Sequence, residues 1–290
     1  MYFILLSIIC SVSVGVLLKM ARNSGKSSYQ IIAWNYIFAL LALLLFFSPE
    51  LKTNFSFTTG SIIAGLIILL PSIFILQAKA IQHSGIVKTD IAQRLSLFIS
   101  IGFSVIIAKE TFNNLKTIGL VVAFLAIFLT FYKKQTQLIE KEHNYFLPLV
   151  LIGFGVIDIL FKKVATIGEL SFTELLLVVF LGAFVLAALL AYWQIQSHKE
   201  VFSTTTIVWG AGVGLLNFGN IAFYIKAHQS LSSNPSTVFI GMNMGVIILG
   251  SLIGILYFKE KLTRLNYFGL VLSLVSIVLI TISQVLVMKN

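Results

Sequence analysis

Asp90, Gln93 and Arg94 stand at i, i+3 and i+4, a spacing that puts a carboxylate, an amide and a guanidinium on one face if their segment is helical. Such a face recognises rather than reacts. The guanidinium offers a planar fork to a carboxylate or phosphate, and the amide both donates and accepts hydrogen bonds. Asn217, Asn220 and Tyr224 repeat the arrangement with uncharged groups at i, i+3 and i+7, and Asn234, Ser236, Thr237 and Asn243 follow in the next apolar run. Neutral amides and hydroxyls can hold a polar solute and still release it. Asp158 is the most isolated carboxylate of the chain. In an apolar setting it can carry a proton or pair with Lys162 one turn on. Covalent chemistry finds no comparable pattern. Ser, Cys and His stand in no nucleophile motif, and His83, His143, His198 and His228 lack metal-ligand spacing and fall at or near expected links. Gly25-Lys26-Ser27 resembles the tail of a phosphate-binding loop, but the first glycine of that loop would fall on Met20. No metal, cofactor or ATP site is expected.

The elements that must position these groups follow from composition. Hydrophobic residues make up 58% of the 290 residues and charged residues 10%, with a mean hydropathy of +1.01. That leaves too little polar surface to cover a water-soluble globule. Ten apolar runs are long enough to span a bilayer: 2–20, 30–48, 59–81, 87–108, 116–132, 145–162, 173–193, 204–225, 234–257 and 265–287. They are continuous rather than alternating, which selects helices over a barrel. The first run lacks a basic leader and a small-residue cleavage site, so it reads as a retained helix. The net charge of +10 comes from cations clustered at the ends of runs, the pattern that sets topology in a membrane rather than one that binds nucleic acid. Cys10 is the single cysteine, so no intrachain disulfide can form.

Charge at mid-membrane costs at least about 2.5 kcal/mol, so the Asp90–Arg94 face must look into the bundle. Two readings of it stand: an internal ion pair that holds the fold, or an Arg94 and Gln93 that line a central cavity. The amides on 217, 220 and 243 likewise serve either as interhelical hydrogen bonds or as ligands. Trp34, Asn35, Tyr36 and Trp209 read as packing or interface residues, and Lys79 and Lys226 lie at matching span ends, where they can face a cavity mouth.

The chain also contains one stretch twice. Residues 108–131 and 258–281 align without gaps at an offset of 150, with eight of 24 positions identical. The anchors are Lys109/Lys259, Glu110/Glu260, Leu115/Leu265 and Gly119/Gly269. The Lys-Glu pairs read as solvated caps of the following helix, and the glycines, like Gly241, Gly245, Gly250 and Gly254, as close-packing positions. A duplication divides the chain into residues 1–135 and 145–290, joined by a polar link at 136–144. Each copy then holds five spans, an odd number, so the copies enter the membrane in opposite senses. The expected fold is therefore an all-α integral membrane protein of ten transmembrane helices in two inverted five-helix repeats, with a substrate site where they meet.

With a Gly nine residues after each Glu, the repeated Lys-Glu resembles the drug/metabolite transporter superfamily, in its ten-helix branch with two EamA-type domains. Ala80-Ile81-Gln82-His83-Ser84 and Ala227-His228-Gln229-Ser230 match that pattern between spans 3 and 4 and spans 8 and 9. So do the lysines closing spans 1 and 6, in Leu18-Lys19-Met20-Ala21 and Phe161-Lys162-Lys163-Val164-Ala165. The first span departs from the small multidrug relatives in having no acidic residue. The resemblance implies a secondary transporter of a small polar metabolite, such as an exported amino acid, in which the two halves rock around a central cavity. The alternatives are an exchanger of an anionic solute such as a nucleotide sugar, or, in another class, an intramembrane enzyme or structural membrane protein. Gln93, Arg94, Asn217, Asn220, Tyr224 and Asn243 are the expected substrate-binding residues. Asp90 and Asp158 are the expected charge partners or proton carriers, with protons as the coupling ion. A monomer or weak dimer in the cell inner membrane is expected. The resembling branch keeps its termini in the cytoplasm, whereas the count of Lys and Arg favours the opposite orientation.

Overall fold

A computed structural model describes residues 2–50, 54–84, 86–130, 145–166, 168–198, 201–259 and 262–289. The expected link at 136–144 and Glu260 lie outside these residues. The described residues form eleven α-helices: α1 Tyr2–Asn23, α2 Ser28–Phe47, α3 Phe57–Ser84, α4 Ile86–Leu95, α5 Leu97–Ile106, α6 Asn114–Thr130, α7 Phe146–Thr166, α8 Phe172–His198, α9 Thr205–Ser230, α10 Pro235–Leu256 and α11 Arg264–Lys289. With α4 and α5 taken as one broken span, these are ten helices, and eight are long and apolar enough to cross a membrane. The others are α6, which is apolar but 17 residues long, and α7, which carries Asp158, Lys162 and Lys163. Large apolar side chains such as Leu45, Ile106, Val121, Leu189 and Val208 point outward. The chain is a multi-pass membrane protein whose outer solvent is lipid.

The fourth span differs from expectation. It breaks at Ser96, where the hydroxyl donates to the Gln93 carbonyl (2.6 Å) and the amide bonds to the same oxygen (3.3 Å). A serine that bonds back into the preceding turn competes with the helical ladder and bends it. The break falls two residues after Arg94.

The Lys-Glu links share one backbone geometry. Lys109 and Lys259 both take left-handed φ, 52° and 53°. In each link the preceding residues fold back on the helix end, Ile107 and Ala108 onto the Phe103 carbonyl and Tyr257 and Phe258 onto the Ile253 carbonyl. The helices that follow, α6 and α11, pack antiparallel. Asn266 at the start of α11 donates to the carbonyls of Leu129 (3.1 Å) and Thr130 (2.8 Å) at the end of α6. Ser276 donates to the Gly119 carbonyl (2.8 Å), and Ser283 to Oδ1 of Asn113, the residue that caps α6 through the Lys116 amide (both 2.8 Å). Gly119 faces Ile280, and Gly269 faces Thr130.

Elsewhere the two parts of the chain interleave. α1 and α2 pack on α9, and α3 packs on α7 and α8. Close approach of α2 to α9 rests on Gly210 and Gly214: a Cβ on either would fall 2.2 Å from the Trp34 side chain or 2.5 Å from the Asn35 carbonyl oxygen. In the second small-residue series, Gly245 packs tightly on Ile8, Gly241 makes ordinary contact with Ile4, and Gly250 has nothing within 4 Å. Packing is thus the role of Gly245 but not of Gly250. Helices from before residue 131 thus pack directly on helices from after residue 144.

Outside the spans, Glu169 ties the α7–α8 link to the start of α3, accepting from the Ser56 amide (3.0 Å) and the Thr59 hydroxyl (2.8 Å), bonds that hold its carboxyl below the usual range. Ser171 and Glu174 cap α8 reciprocally.

The two glycines of the α6–α11 seam are expected to respond differently to alanine. At 269 the new methyl meets the Thr130 backbone nitrogen at 2.4 Å, whereas at 119 it meets the flexible Ile280 side chain at 2.8 Å. Gly269→Ala should destabilise by about 1–3 kcal/mol and Gly119→Ala by less, read as thermal midpoints in detergent. Equal midpoints for the two variants would contradict this seam.

Candidate functional site

The polar groups placed near mid-span converge from five helices. Asp158 of α7 accepts from the Ser100 hydroxyl of α5 (3.0 Å) and from the Tyr224 hydroxyl of α9 (2.9 Å). Arg94 at the end of α4 donates through Nη1 to Oδ1 of Asn243 in α10, a long contact of 3.4 Å. Asn243 is fixed in turn by donating to the Phe239 carbonyl one turn back (3.0 Å). The charges of both Asp90 and Asp158 reach Arg94. The guanidinium therefore sits between a carboxylate on its own helix and one across the bundle.

Lys162 is not the partner of Asp158, although it follows one helical turn later. Its ammonium donates to the Ser232 carbonyl in the α9–α10 turn (2.8 Å). The reason is depth: α7 carries Asp158 at mid-span and delivers Lys162 to its C-terminal end, where the turn offers a free carbonyl.

The remaining expected residues lie around this core. Gln93 accepts from Gln77 of α3 (2.8 Å), which places it on the α3–α4 contact. Asn217 donates to Asn35 of α2 (3.1 Å), and Asn220 accepts from the Ser7 hydroxyl of α1 (2.8 Å). The face formed by 217, 220 and 224 thus meets three neighbours, α2, α1 and α7, because α9 runs between them. Only Tyr224 joins the Asp158 group directly. Lys226 lies over the Phe3 and Phe47 rings (5.7 and 5.6 Å), and Lys79 is exposed.

Two members of the site were not among the expected residues. Ser100 is fully buried and holds Asp158. Its signal was a hydroxyl four residues after Ser96 in an otherwise apolar run. His228 is the larger surprise, since its motif read as a link. It lies inside the last turns of α9, 0% exposed, with its ring edge-on to Tyr224 and inclined to Phe239, both at 4.8 Å. Neither ring nitrogen has a hydrogen-bond partner, and the same holds for Nε of Arg94. A buried polar atom left in that state is costly.

The arrangement pairs one fixed cation with one hydrogen-bonded carboxylate, surrounded by amide and hydroxyl groups and walled by Phe161, Tyr224, His228 and Phe239. It has donors and acceptors but no activated nucleophile. Among the described residues no group of three or more His, Cys, Asp or Glu is placed to hold a metal ion.

Comparison with known proteins bears on the family. The family model of the EamA-like transporter family matches residues 1–132. An uncharacterized protein of Haemophilus influenzae is 40% identical over 286 residues, covering 96% of both chains. A solved crystal structure superposes with a TM-score of 0.72 over 97% of this chain and 98% of its own, at 11% identity, a likeness of fold alone. By that family model, over a chain of helical membrane architecture, the chain belongs to the EamA-like transporter family of the drug/metabolite transporter superfamily.

Proposed function

We propose that the chain is a secondary active transporter that moves a small polar metabolite, an amino acid or related solute, outward across the cell inner membrane by alternating access. The observation that carries this reading is the mid-span meeting of Arg94 and Asn243 with Asp158, Tyr224 and Ser100. Arg94 holds an acidic group of the solute, Asn243 and Gln93 supply neutral bonds, and Asp158 carries the coupling proton, with Asp90 as its counter-charge on α4. Asn217 and Asn220 line the approach between α1, α2 and α9. A monomer suffices for this mechanism.

The frame proposed for this site is a pair of inverted five-helix repeats, residues 1–135 and 145–290. The reciprocal contacts Gly119–Ile280 and Gly269–Thr130 support it, because an offset of 150 exchanges one for the other. A contact that maps onto itself with its partners exchanged is what a two-fold axis between antiparallel helices produces. Since α1 and α2 pack on α9 while α7 and α8 pack on α3, the rocking bodies each combine helices of both repeats. The termini share one face, which we take as cytoplasmic.

A second reading within the same fold, exchange of an anionic solute, draws on the unpartnered Nε edge of Arg94. Proteoliposome flux without ATP tests both. Arg94→Gln is expected to lower uptake of an anionic solute by about ten- to a hundred-fold, the worth of a charged hydrogen bond. Wild-type flux in that variant would return Arg94 to a structural role. Asp158→Asn is expected to abolish the dependence of flux on a pH gradient while the variant still binds solute. Unchanged pH dependence would remove Asp158 as the proton carrier.

A further inference from the structure

Glu110 and Lys116 form a buried ion pair where the sequence led to a solvated helix cap. Glu110 is 7% exposed and Lys116 3%. One carboxylate oxygen accepts from the Lys116 ammonium and the Ser236 hydroxyl (2.7 Å), the other from the Ser236 amide (3.0 Å). The residue thus caps α10 from across the molecule, not its own α6. Lys116 donates further to Oδ1 of Asn234 (3.1 Å), and Lys162, bonded to Ser232, lies within electrostatic reach of Glu110. Glu110 and Lys116 come from the α5–α6 link and α6, and every other partner comes from α7 or the α9–α10 turn and start of α10.

This cluster sits at the end of a route that begins at the central site. Tyr224 binds Asp158, His228 packs on Tyr224 and Phe239, and Lys162 of the same α7 as Asp158 reaches the Ser232 carbonyl. In this conformation a layer of rings and then an ion pair separate the site from that end of the molecule. Beyond the pair lies a cavity of about 380 Å³ lined by Lys109, Glu110, Asn113, Lys116, Asn234 and Ser283. The opposite end is built otherwise. The offset of 150 maps Lys116 onto Asn266, a neutral amide spent on the Thr263 cap and on the last carbonyls of α6.

We propose that Glu110 and Lys116 are gating residues: their ion pair locks the central site at the end formed by the α5–α6 link and the α9–α10 turn, and releasing it opens the site there. The inference rests on the transport reading. Separating two buried charges strands both unless water enters, so release and hydration must occur together, and the adjoining cavity is the source of that water. The same water supplies the partners that His228 lacks. The matching position of the other copy carries a neutral amide, Asn266, in place of the Lys116 ammonium.

Carbethoxylation of His228 by diethyl pyrocarbonate, followed by peptide mass spectrometry on purified protein in detergent, tests this without any solute. Glu110→Gln and Lys116→Met are expected to raise the His228 rate about ten-fold or more over wild type, the size of a typical conformational coupling. Lys116→Arg, which keeps the charge, should stay near wild type. Glu110→Gln retains an acceptor for Ser236, so it decides the matter if Lys116→Met does not fold. Maleimide labelling of Cys10 of α1, which packs against Gly219 of α9, is the control. Wild-type His228 rates in both neutral variants overturn the gate, and so does a parallel rise at Cys10, which would mean general loosening. A His228 response in a protein that shows no flux for any solute leaves the gate standing and removes the transport reading; flux without the response does the reverse.

Discussion

Hydrocarbon offers no hydrogen-bond partner, and the polar groups of this chain are disposed around that constraint. Those at helix ends are spent on backbone atoms of other helices: Asn266 on the last carbonyls of α6, Glu110 on the first amide of α10, Lys162 on the α9–α10 turn. Several of those deeper in the spans bind one another instead, Asp158 with Ser100 and Tyr224, Arg94 with Asn243. The first set joins distant elements into a frame. The second set remains as a cluster of side chains bonded to one another inside the bundle.

Within that frame the two copies of the repeated stretch have kept their backbone and changed their chemistry. Both lysines before the glutamates hold left-handed φ, and both following helices meet at their glycines. The side chains one turn further on diverge, an ammonium at 116 and an amide at 266. The spans before them diverge too, with α4 and α5 broken at Ser96 while α10 is continuous.

The helices were legible in the sequence, since runs of apolar residues set them. The spacing of Asp90, Gln93 and Arg94 also identified a face that points inward. What spacing could not tell was which neighbour each face meets. Asn217 and Asn220 follow the same stripe as Tyr224, yet they bind Asn35 and Ser7 because three helices border α9. Glu110 read as solvated because its neighbours in sequence are polar, whereas its partner Ser236 stands 126 residues away. His228 read as a link because the last turns of α9 carry few apolar residues, although tertiary packing buries them. The break at Ser96 rests on one serine hydroxyl turning to its own backbone, a choice that composition does not register.

The α6–α11 seam has a consequence for how the molecule is assembled. α6 is made and inserted well before α11 emerges, yet the groove at Gly119, the cap at Asn113 and the last carbonyls of α6 are completed only by Ser276, Ser283 and Asn266 of that final helix. Until then α6 lies in lipid with its small-residue face uncovered. Pairing of two helices so far apart in the chain makes this seam a late contact, closed only once α11 has been made.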